Sequence, residues 1–104
     1  MSIERMVQKI LIISTAHITY AVNKQMMRDE HPVGDRCPDL GFCFDNVEYG
    51  YFIYITDSVE DPDYKLIQPR CIRDIMDRAK ALGCTMVKLD CDADILPGLK
   101  TYDW

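Results

Sequence analysis

The chain has 104 residues, 48% hydrophobic and 28% charged, with a formal net charge of −5 and a pI near 4.8. That length supports a single domain spanning 1–104 with a modest core, and the composition is that of a globular protein rather than a disordered one. The acidic balance argues against a domain whose own field gathers nucleic acid, and it suits docking on a basic protein.

The apolar run Ile10–Ile13 is far shorter than the roughly 20 residues of a membrane span or the about 7–15 of a signal-peptide core. A cytoplasmic protein that touches no membrane is the expectation. The five cysteines (Cys37, Cys43, Cys71, Cys84 and Cys91) are odd in number and form no CxxC pair. They read as reduced thiols filling core gaps, with no metal site and no cofactor.

In chain order, "VQKILII" reads as a β-branched, centrally buried strand. Ser14 and Thr15 stand where a helix N-cap belongs. From Ala16 to about Glu30, Ile18, Val22 and Met26 repeat at helical spacing with Ala21 beside them. "HPVGDRCPD" ends that helix through Pro32, Gly34 and Pro38. "LGFCFDNVEYGYFIYIT" predicts two aromatic-rich strands turning at Asp45-Asn46, with Gly50 at a bulge or a close backbone approach. "DSVEDPDYK" is polar and predicts a loop. A second helix is expected from about Gln68 to Leu82, with Pro69 in its first turn, Ile72, Ile75, Met76 and Ala79 on its buried side and Gly83 as its cap. "CTMVKLDCD" reads as the last strand. The order strand–helix–strand–strand–helix–strand predicts an α/β (α+β) fold of ferredoxin-like, split βαβ type. In that arrangement two helices cover one face of an antiparallel sheet whose first and third strands are central.

Three features carry chemistry. Asp90, Asp92 and Asp94 alternate at the end of the last strand, so Asp90 and Asp92 share a wet face with Lys88 while Leu89 and Cys91 point inward. The spacing is not that of a calcium loop, because Ile95 stands where the sixth-position glycine is required and Thr101 where the glutamate is. The reading is a solvated strand edge suited to a basic partner. His17 sits just after a strand, where backbone amides gather; a histidine bonding a backbone carbonyl is the expected role, since no serine or cysteine with a paired acid accompanies it. His31, in a loop before a proline, carries less signal. "YGYFIYI" sets Tyr51, Ile53 and Ile55 on one side and Phe52 and Tyr54 on the other. Exposed aromatics on such a sheet can stack RNA bases. No basic residue lies between Gly41 and Asp63, however, where Asp45, Glu48, Asp57, Glu60, Asp61 and Asp63 would repel phosphate. Core packing, or a homodimer through the open sheet face, is the better account.

"LIISTAHIT", "EYGYFIYI" and "LGCTMVKLDCDADILPGLKTYDW", about 40 residues together, resemble an uncharacterised family of small bacterial, plasmid and phage proteins. The matching residues are Thr15, His17, Tyr49, Gly50, Asp90, Asp92, Tyr102, Asp103 and Trp104; the stretch from Val33 to Phe44 shows no match. The resemblance implies no activity, cofactor or catalytic residue. It implies a setting, since mobile elements carry many small acidic proteins that block host defences.

These readings favour a non-enzymatic protein-binding module acting in a bacterial host cell. It would dock on a host protein, such as a defence or nucleic-acid-binding factor, through Thr15, His17, Tyr49, Asp90, Asp92, Tyr102 and Trp104. The alternative is a small enzyme or ligand-binding protein whose pocket joins His17 to Asp90 or Asp92 under Tyr102 or Trp104.

Overall fold

In the computed structural model, which describes residues 7–28, 36–37, 40–55 and 61–103, the first strand is β1 (Ile10–Ser14). The Ser14 hydroxyl then accepts the Ala16 N–H at 3.0 Å and starts a single 3-10 turn over Thr15–His17. Ile18 has extended backbone, and this drops its side chain fully into the core. It also divides what the periodicity predicts as one helix. Helix α1 (Tyr20–Arg28) begins only after Thr19, whose hydroxyl accepts the Val22 N–H. The stripe Ile18, Val22 and Met26 is buried as expected, whereas Ala21 is exposed.

After the short β2 (Arg36–Cys37), β3 (Phe42–Val47) and β4 (Gly50–Tyr54) form a hairpin. Asp45 and Asn46 lie within β3, paired with Phe52 and Tyr51, so the expected turn there is corrected to Glu48-Tyr49. Tyr49 adopts a φ of 70°. Gly50 is the close approach anticipated for it: a Cβ there would stand 1.7 Å from the Leu89 carbonyl oxygen. The polar stretch before the second long helix is not all loop, because α2 (Pro62–Lys65) forms with the Asp61 side chain capping the Asp63 N–H. Helix α3 (Arg70–Ala81) buries Cys71, Ile72, Ile75, Met76 and Ala79. Gly83, with φ 77°, closes it as a left-handed cap. The last strand is β5 (Met86–Asp90).

The α+β class is as expected, but the sheet order is not the ferredoxin-like one. Five strands run β1-β5-β4-β3-β2. The pair β1–β5 is parallel and the other pairs are antiparallel. The last strand is therefore interior, between β1 and β4, and the first lies at an edge. The apolar run of β1 signalled burial on two faces; instead Leu11 and Ile13 pack on the core while Ile10 and Ile12 are 43% and 56% exposed on the other face. The residues with a consistent inward phase are Ile13, Val87, Leu89, Tyr51, Ile53 and Phe44. They form one apolar layer with α1 and α3, each large side chain contributing roughly 1.5–3 kcal/mol by burial. Phe52 and Tyr54 face away from that layer, half-buried, in the phase opposite to Tyr51 and Ile53.

Candidate functional site

β1 and β5 pair in parallel with Ser14 opposite Asp90, so both strands end at the same edge of the sheet. There the C-terminal segment returns across the Thr15–His17 turn. The Ser14 N–H donates to the Asp94 carbonyl at 3.0 Å and the Tyr102 N–H to the Ala16 carbonyl at 2.9 Å. His17, 1% exposed, lies beneath the returning segment. Its Nε2 accepts the Leu96 N–H at 2.9 Å, and its Nδ1 stands 2.9 Å from the Lys100 carbonyl oxygen. A backbone N–H can only donate and a carbonyl only accept, so the ring is the neutral tautomer with its proton on Nδ1. His17 is thus a clamp for the tail, as a carbonyl-bonding histidine was expected to be. With both nitrogens engaged by backbone, it meets neither Asp90 nor Asp92. Arg78 donates to the Pro97 carbonyl, and Leu96, Leu99 and Tyr102 pack on the core. Trp104, expected to anchor the tail, and His31 lie outside the described residues.

Asp90 ends β5 and Asp92 lies beyond it, so the two do not share a strand face. The Asp90 Oδ1 accepts the Asp92 N–H at 2.8 Å, which turns the chain, and its Oδ2 is 3.6 Å from the Lys88 ammonium. The turn also swings Cys91 outward. It is exposed, whereas Cys43, Cys71 and Cys84 are buried free thiols; the side chain of Cys37 is outside the described set. Ligand atoms of Asp90, Cys91 and Asp92 lie within 4.8 Å of one another, close enough for a cation, although both Asp90 oxygens already have protein partners. Partial desolvation of its sulfur, then the carboxylates of Asp92 and Asp90, push the Cys91 thiol above its ordinary range. That is the reverse of what an activated nucleophile requires.

Beside this loop lies a cleft of about 500 Å³. Thr15 and Cys91 line it from the strand ends, Asn23 and Met27 from α1, and Asn46, Tyr49 and Tyr51 from the hairpin. The Tyr51 hydroxyl donates to the Asn23 side-chain oxygen at 2.8 Å. The Cys91 N–H holds the Tyr49 carbonyl at 2.9 Å, and the Tyr49 side chain is 61% exposed. A tyrosine at positive φ is strained, so an aromatic group is presented here against the local backbone preference. Thr15, Tyr49 and Cys91 therefore meet, with Asp90 and Asp92 flanking Cys91 in the chain; Tyr102 anchors the far side of the turn. The sequence offered Asn46 only as a turn residue and did not single out Asn23 and Met27. Their convergence depends on where α1 docks, which no local pattern encodes.

No helix among the described residues is long and apolar enough to cross a membrane. Fold and site together define a small α+β domain with an acidic loop pinned beside a cleft, and with its buried histidine serving structure. The chain belongs to a family of unknown function (DUF5983), whose C-terminal-domain model matches residues 10–104. Neither a curated protein nor a solved structure matches it.

Proposed function

We propose that this chain is a non-enzymatic protein-binding module of a phage or other mobile element. It acts in the cytoplasm of a bacterial host by docking its acidic end on a basic surface of a host protein. The observation that carries the reading is the Asp90–Asp94 loop, tied through Asp94 to Ser14 and through Cys91 to Tyr49, beside a cleft whose lip presents the strained, exposed Tyr49. An exposed aromatic anchor tied to an acidic loop, on a support that loses little entropy on binding, is what a hot spot for a basic partner requires. The net charge of −5 supplies long-range attraction. A nucleic-acid-binding or defence factor fits this chemistry, since such a protein carries a surface evolved to meet phosphate. The alternative pocket built on His17 is the weaker reading, because backbone groups engage both of its ring nitrogens.

The test is affinity capture from host lysate with the wild type, Tyr49→Ala and the triple change Asp90→Asn, Asp92→Asn, Asp94→Asn, read by mass spectrometry. A partner should be retained by the wild type, weakened about tenfold or more by either variant, released by moderate salt and displaced by heparin. A partner held equally by all three proteins, or held independently of salt, would refute the reading.

A further inference from the structure

A second surface adjoins the acidic end, Asp90 closing β5 beside Lys88. On the sheet face away from the helices, strand pairing sets Ile12, Lys88, Phe52 and Asp45 in one row across four strands. Ile10, Met86, Tyr54 and Cys43 make the next row. The face is thus largely apolar, with Ile10 and Ile12 exposed, Phe52, Tyr54 and Met86 half-buried and Cys43 buried. A contiguous patch of this kind marks an interaction surface.

The charges indicate what covers it. Phe52 on β4 has the Lys88 cation on one side, on β5, and the Asp45 carboxylate on the other, on β3. A two-fold axis lying along β4 exchanges the left and right sides of the face. It sets Phe52 against Phe52, and it lays Lys88 of one copy over Asp45 of the other, twice. The row is complementary to itself in this arrangement, and reversing either charge would make the same packing repulsive. The two groups are also held in the face. The Lys88 ammonium lies 5.8 Å from the Phe52 ring centre and 3.6 Å from Asp90. Asp45 accepts the Tyr54 hydroxyl at 2.6 Å.

We propose that a second copy of this chain packs on this face, giving a sheet-on-sheet homodimer centred on Phe52 and flanked by two Lys88–Asp45 pairs. Sheets stacked with nearly aligned strands lie roughly 10 Å apart, a gap that the aromatic and isoleucine side chains fill and the long lysine spans. The interface is isologous, as two-fold symmetry demands; it takes in Asp90 beside Lys88 and leaves the cleft between the hairpin and α1 outside it. It does not rest on the docking proposal above.

The test is analytical ultracentrifugation of the purified chain over a range of concentrations. The wild type should sediment as a reversible dimer of the 12.1 kDa chain. Lys88→Asp alone and Asp45→Lys alone should each raise the dimer dissociation constant about tenfold or more. The double variant should recover most of the loss, because each pair is then re-formed with its signs exchanged. Mixing the two single variants should give a heterodimer tighter than either homodimer, an outcome that misfolding cannot produce. A wild type that stays monomeric at every concentration would overturn the proposal. So would a dimer indifferent to both reversals, or a mixture that fails to associate. Because only this chain is present, either result leaves the host-docking reading to its own experiment.

Discussion

At Cys91 the local chemistry opposes reactivity. The thiol is exposed, yet partial desolvation and its neighbours Asp92 and Asp90 raise its pKa. A raised thiol pKa means less thiolate at any given pH, and the thiolate is the reacting form. Iodoacetamide should therefore modify Cys91 in the folded protein more slowly near neutrality than it modifies free cysteine. The rate should climb through a midpoint displaced to higher pH. Converting Asp92 and Asp90 to Asn should move that midpoint back down. A midpoint at or below that of free cysteine would contradict the geometry and reopen the case for a nucleophile. Tyr49 shows the complementary lesson: its φ of 70° is held by the Cys91 N–H and by the turn that Gly50 permits. No residue-level preference of tyrosine foretells that conformation.

The element that distinguishes this fold is the irregular C-terminal segment, which is ordered without being helix or strand. Its attachment runs through one buried imidazole and two backbone bonds at the Ser14–Ala16 turn. His17→Phe keeps an aromatic ring of similar bulk but leaves the buried-side Leu96 N–H and the Lys100 carbonyl without their partner, a loss of about 2–3 kcal/mol. A melt followed by circular dichroism should fall by about 10 °C or more. Deleting Tyr102 to Trp104 removes the bond to Ala16 and the half-buried Tyr102 ring, and should cost several degrees by itself. Because both changes release the same segment, the two together should cost less than their sum. Strict additivity, or a His17→Phe melt within a degree or two of wild type, would show that the tail is held elsewhere. Nitrogen NMR of the imidazole gives a direct check, with the proton expected on Nδ1.

At the scale of the whole molecule, one apolar layer joins the sheet to α1 and α3, and two buried thiols report on its integrity from the two ends of α3. Cys71 stands in the helix's first turn and Cys84 just beyond its cap, 3% and 8% exposed. If the layer opens as one cooperative unit, both should react with a thiol reagent at the same slow rate, governed by global unfolding and accelerated equally by denaturant. Cys91 should react long before either. Earlier modification of Cys84 would mean that the end of α3 frays independently of the sheet. Full unfolding should expose all five cysteines to the reagent without prior reduction, and fewer than five would contradict a reduced state.

Helix α3 was legible because its apolar positions recur at fixed spacing. Ile72, Ile75, Met76 and Ala79 are buried where periodicity places them, and Gly83 caps where a residue without a Cβ is needed. The opposite phases of Tyr51 with Ile53 and Phe52 with Tyr54 followed from strand pleating alone. What the sequence could not decide was adjacency. Whether β1 or β5 takes the interior place beside β4 depends on which strand edges meet. An isoleucine-rich run looks the same when buried on both faces as when one face is open. The hairpin turn moved from Asp45-Asn46 to Glu48-Tyr49 because β3 pairs on through Val47 with Gly50, and cross-strand contacts outweighed the local turn preference. His17, Asp90 and Thr15 were found by their place in the chain, and their roles were settled only by what the fold laid beside them. Sequence by itself determined the class, the second long helix, the strand phases and the acidic charge of this protein, since these are properties of composition and short-range spacing. Tertiary structure decided the strand order, the clamp of His17 on the tail and the cleft beneath Tyr49, since each requires groups far apart in the chain to meet.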